Sequence, residues 1–93
     1  QIDFHSYTDN PLLYKELQMQ IKQVIDQLPT RCREVFLMSR FQRLKNREIA
    51  EQLQISTTAV EKHLSKALKA FDQHFKKHYP IDIYLAVTGW LFS

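Results

Sequence analysis

Four side chains in one segment have the types and spacing to read base edges. Thr57, Thr58, Glu61 and Lys62 stand in the stretch NREIAEQLQISTTAVEKHLSKAL, residues 46–68. A threonine hydroxyl bonds to base edges and its methyl packs on thymine. A glutamate accepts from cytosine N4, and a lysine donates to guanine O6 and N7. Ser65, Lys66 and Lys69 follow on the same side and suit phosphate oxygens, which fix position rather than sequence. Arg43, Lys45 and Arg47 lie just upstream, at the start of a short helix whose N-terminus also attracts anions.

Catalysis has no comparable constellation. The acids are scattered, and no pair forms an acid/base couple. A single glycine excludes a Gly-rich phosphate loop. His74 and His78 share one helix face, but no carboxylate or cysteine is spaced to complete a metal site, so both read as solvated. His63 reads as a phosphate contact or core edge. Neither an enzyme nor a cofactor is expected. The one cysteine, Cys32, cannot form an internal disulfide. It fits a reduced cytoplasm and a small, semi-buried structural position.

The elements that must hold these side chains are helical. Ile49, Ala50 and Leu53 make one side of a first helix, Gln54 and Ile55 a turn, and Ser56 an N-cap. A second helix to about residue 77 buries Val60, Leu64, Ala67, Leu68, Phe71 and Phe75 and shows Thr58, Lys62, Ser65, Lys66 and Lys69 opposite. That is a helix-turn-helix. Upstream, Asp9 or Asn10 caps a helix over 11–28 with Pro11 in its first turn. Its apolar stripe is Leu13, Leu17, Ile21, Val24, Ile25 and Leu28. Thr30 is expected to cap the next helix, 31–42.

That helix is apolar in almost every direction, through Val35, Phe36, Leu37, Met38 and Phe41. It must be covered on more than one side, by a partner or by the C-terminal tail. The tail, IDIYLAVTGWLFS, either docks on its own core, inserts into another protein or touches a membrane. The membrane reading is weakest, because the tail has no basic face. No integral membrane segment is present, since no run of 18 apolar residues occurs.

Ninety-three residues make one small domain, read as a piece of a longer protein. The expected fold is all-α: a small bundle of four helices plus an apolar tail, possibly a fifth, containing the helix-turn-helix. Residues 1–10 read as a linker remnant, 11–78 as the domain and 79–93 as an extension. Residues 31–77 carry a net +6, and the remainder −3. The basic excess falls on the helix-turn-helix, as attraction to phosphate requires.

The series Leu28-Pro29, Arg33-Glu34-Val35-Phe36, Glu48-Ile49-Ala50 with Leu53, Ile55-Ser56, Val60-Glu61-Lys62 and Lys66-Ala67-Leu68 resembles region 4 of bacterial sigma-70-family factors, in the extracytoplasmic function (ECF) group. The likeness covers residues 12–77. It implies double-stranded promoter DNA as partner, with the −35 element read through Thr57, Thr58, Glu61 and Lys62. It also implies that a hydrophobic concave side holds the β flap of the RNA polymerase core, and that an anti-sigma factor is a further partner there. Val35, Phe36, Leu37, Met38 and Phe41 are the expected contributors. The chain departs from the family at Arg43 and Gln54, where glycine is usual, and at Lys45, where Ser or Thr usually caps. Strained or differently capped turns are expected there. LuxR-type response-regulator output domains share the four-helix plan and a string similar to AVEKHLSKAL. A mainly protein-binding module is the third reading.

Overall fold

The computed structural model describes residues 10–91. These form five helices: α1 (Pro11–Gln27), α2 (Thr30–Arg40), α3 (Asn46–Leu53), α4 (Thr57–His78) and α5 (Ile81–Leu91). No strand occurs among the described residues. The all-α bundle expected from periodicity is present. Asp9 and the rest of the proposed linker up to residue 9 lie outside the described residues.

Local chemistry sets the boundaries. The Asn10 side chain accepts from the Leu12 and Leu13 amides at 3.0 and 3.4 Å, and Pro11 fills the first turn, where its missing N–H costs nothing. Leu28 is extended, with ψ 146°, as the residue before a proline prefers. Thr30 does not cap α2. It is the first helical residue, and Pro29 is the cap, with no side-chain bond to offer. Because Pro29 is itself extended, at ψ 149°, the helix starts one residue earlier than a threonine cap would start it.

Two apolar clusters share the core. In one, Leu17, Ile21, Val24, Ile25 and Leu28 of the N-terminal segment meet Cys32 and Phe36 of α2, Ala67, Phe71 and Phe75 of α4, and Val87 and Trp90 of α5. In the other, Val35 and Met38 of α2 meet Ile49 and Ala50 of α3 and Val60 of α4. Helix α2 lies between them, which is why it is apolar all round. Cys32 and Phe36 face one cluster, Val35 and Met38 the other.

The tail folds onto this bundle. Residues 81–91 form a helix whose Ala86, Val87 and Trp90 are buried. Its principal neighbour is α4. Trp90 also reaches the end of α2, with ring centroids 6.1 Å from Phe41 and 6.5 Å from Phe71. The Arg40 guanidinium lies 4.8 Å over the Trp90 ring, within cation–π range.

Candidate nucleic-acid interface

Helix α3 is held by what it buries. Ile49 is fully buried and Ala50 nearly so, and the small alanine lets α3 approach α4 closely. Lys45 has no acceptor in its side chain, so it cannot do what a cap serine does. Half of the usual capping arrangement survives. The Glu48 carboxylate accepts from the Lys45 amide at 2.9 Å, and its negative charge sits favourably in the first turn.

Both positions where glycine was expected adopt left-handed backbone. Arg43 and Gln54 each have φ of 56°, a region that costs a residue with Cβ about 1–2 kcal/mol. At Arg43 the Leu44 amide reaches back to the Met38 carbonyl at 3.1 Å, closing α2 and turning the chain into α3. Two turns flanking α3 are therefore built from residues that do not favour them.

Helix α4 starts at Ser56, whose Oγ accepts from the Ala59 amide at 3.0 Å. From there the faces separate as the spacing requires. Val60, Ala67, Phe71 and Phe75 are buried, with Leu64 and Leu68 half-buried beside them. Thr57, Thr58, Glu61, Lys62, Ser65, Lys66 and Lys69 are all exposed. Arg43, Lys45 and Arg47 are exposed as well. The ion pairs among the described residues lie elsewhere, Lys22 with Asp26 and Arg31 with Glu34. Lys62, Lys66 and Lys69 are not engaged in one.

Sequence reasoning missed Arg40. It lines an open hollow of about 470 Å³ with Ser39, Arg43 and Leu44. Burial lowers its pKa, and the like charge of Arg43 lowers it further. Two guanidinium groups in one hollow attract an anion more than either alone. The signal was present as two arginines three residues apart, obscured because α2 reads as apolar.

Three of the five residues expected to meet a protein partner are not on the surface. Val35, Phe36 and Met38 are 0, 2 and 8% exposed, enclosed by the two clusters. Only Leu37 and Phe41 remain half-exposed. Periodicity counted apolar faces correctly and misjudged how many neighbours α2 has.

Neighbouring groups are structural. Cys32 donates to the His63 carbonyl at 3.2 Å, and burial raises its thiol pKa. His63 is half-buried. His74 Nε2 is 2.8 Å from Gln20 Oε1, and its ring centroid is 5.0 Å from that of His78. No group of three or more metal-ligating side chains occurs among the described residues. No helix among them is long and apolar enough to cross a membrane.

A family model described as Sigma-70, region 4 matches residues 18–71. No curated protein and no solved structure matches the chain. The matched stretch runs from within α1 to Phe71 and includes α3, the turn and the first two-thirds of α4. Helix α5 lies outside it.

Proposed function

The chain belongs to the sigma-70 region 4 family, a DNA-binding domain of transcription initiation, and on that footing we propose that it is the −35-reading, polymerase-binding domain of an ECF-type sigma factor. The observation that carries the DNA-reading role is the division of α4. Its packed side anchors it to α2 and α3, while Thr57, Thr58, Glu61 and Lys62 stand in solvent on its first two turns. A recognition helix contacts base edges with its N-terminal residues.

In this reading those four side chains select the sequence. Arg43, Lys45, Arg47, Ser65, Lys66 and Lys69 hold phosphates and set the register. Arg40 adds to the cationic flank beside Arg43. Partner proteins, the β flap of RNA polymerase and an anti-sigma factor, meet the half-exposed Leu37 and Phe41 at the end of α2. The protein works in the cytoplasm and performs no chemistry of its own.

The test is binding of the chain to a duplex selected from a randomised pool, against a scrambled duplex, over a range of salt. The proposal expects one bound monomer per asymmetric site, with affinity falling steeply as salt rises. A dimer on a palindrome would favour the LuxR-type reading. Affinity for duplex insensitive to both sequence and salt would overturn the DNA-reading role.

A further inference from the structure

We propose that the phosphate-binding strip of α4 continues past Lys69 to Lys76 and Lys77, so that the C-terminal half of this helix holds DNA backbone outside the groove read by its first turns. The inference rests on the DNA-reading role proposed above.

Lys62, Lys66, Lys69, Gln73 and Lys76 follow one another at steps of four and three residues, the spacing that keeps side chains on one helical face. Lys77 is adjacent. All six are exposed. At roughly 100° per residue, the lysines of α4 fall in one sector, and buried Val60, Ala67, Phe71 and Phe75 lie on the far side. No acid shares the sector. Glu61 lies to one side, and Asp72 accepts a hydrogen bond from Tyr84 of α5, which holds its carboxylate toward that helix.

Length then decides what the strip can reach. From Lys62 to Lys76 it is roughly 21 Å long at 1.5 Å per residue, whereas the major groove is about 12 Å wide. A helix whose first turns enter the groove carries its last turns beyond the groove edge, where the DNA offers phosphate. Cations in a last helical turn also complement the helix dipole. That accounts for neither Lys66 and Lys69 in mid-helix nor the alignment of Lys76 with them.

The chemistry favours a polyanionic backbone over an acidic protein. The other residues in the sector are polar or small, Thr58, Gln73 and Ala59, with Ser65 and Ala70 at its edges. A protein partner draws its affinity from buried apolar anchors, and this strip has none to offer. A phosphate backbone needs only regularly spaced cations and the release of its counterions.

The experiment compares the full chain with its Lys76→Gln/Lys77→Gln variant on the selected duplex and its scrambled counterpart, from 50 to 200 mM salt. Two lost phosphate contacts lower the salt slope by about two units. Over that range the variant then weakens about tenfold less than the unaltered chain, equally on both sequences. Each single variant loses about one unit, and these decide the matter if the double variant melts early. Lys62→Ala is measured alongside. If it changes sequence preference while the Lys76 and Lys77 variants keep the full slope, the strip ends at Lys69 and this inference is overturned. If Lys62→Ala also changes nothing, the underlying DNA-reading role fails with it.

Discussion

The Ile55 amide donates to the Ala50 carbonyl at 3.0 Å, and the loop it closes contains Gln54 with φ 56° and ψ 46°. The Gln54 amide also reaches the Glu51 carbonyl, at 3.4 Å. This is a Schellman closure: a left-handed residue lets two orphan carbonyls at the end of α3 find donors. It sets the angle at which Ser56 starts α4, and so where the recognition side chains stand. A glutamine holds this place against steric resistance.

Gln54→Gly should therefore stabilise the domain. Relief of about 1–2 kcal/mol of left-handed strain is partly offset by about 0.5–1 kcal/mol of added chain entropy, leaving a gain of up to about 1.5 kcal/mol. Gln54→Val should destabilise by more than about 1 kcal/mol, because a branched Cβ tolerates this region worst. Denaturant midpoints at unchanged m-value give both numbers. A loss of stability in the glycine variant would mean that the Gln54 side chain itself holds the turn.

Lys62 and Lys66 should separate base reading from phosphate holding. Lys62→Ala is expected to lose about 1–3 kcal/mol of sequence discrimination, the worth of a good bidentate base contact. Lys66→Ala is expected to weaken binding equally on all sequences and to lower the salt slope by about one unit. Titrations on matched and scrambled duplexes read both. Uniform loss in the Lys62 variant would move that residue to the phosphate group, and an unchanged slope would remove Lys66 from the interface.

The α4 face was legible because its period is strict. Val60 and Phe71 versus Lys62 and Lys69 cannot exchange sides without breaking the helix. Asn10 and Ser56 were legible from residue type, since few residues cap, whereas the left-handed turns at Arg43 and Gln54 were legible only through the resemblance, because neither residue type itself favours φ above zero. Helix α2 was harder. That Val35 and Phe36 are both apolar is plain in the chain, but which neighbour covers each depends on α3, α4 and α5 converging from distant positions. The tail posed the same difficulty. Its apolarity showed that it must be covered, while only the packing of Trp90 on Phe71 and Phe41 shows by what. Thr30 misled because Pro29, extended at ψ 149°, takes the cap position itself and leaves Thr30 as the first helical residue.

His74 gives the domain a pH dependence. Burial lowers its pKa first, and the neighbouring His78 lowers it further. Around it stand Gln20 and Glu16 from α1, and His78 and Tyr79 from the end of α4. The folded state thus prefers the neutral ring, whereas the unfolded chain takes up a proton near the ordinary value of 6.5. This contribution to stability is complete above about pH 6.5 and is lost as the pH falls through the folded-state pKa. The melting temperature should drop between about pH 7 and 5, and His74→Gln, which keeps a partner for Gln20, should flatten that drop. An equal slope in the variant would place the acid sensitivity elsewhere.

Helix α5 should compete with protein partners for the end of α2. Trp90 packs on Phe41, and the Arg40 guanidinium lies over its ring, so α5 covers the region where the proposed partner-facing residues emerge. An open cavity of about 330 Å³ between α4 and α5, lined by Leu68, Phe71, Phe75, Val87 and Leu91 among others, leaves the docking of α5 on the bundle short of full contact. Removing residues 81–93 should therefore strengthen binding to a β-flap fragment, by about tenfold for each 1.4 kcal/mol that docking of α5 had contributed. Trp90→Ala should act in the same direction, within the roughly 3–5 kcal/mol that truncating a buried tryptophan costs in stability. Trp90 is the only tryptophan in the chain, so its emission reports whether α5 is docked: it should shift to the red on adding the flap fragment to the intact chain. Equal or weaker flap binding after truncation, with emission unmoved in the intact chain, would place the partner surface away from α5.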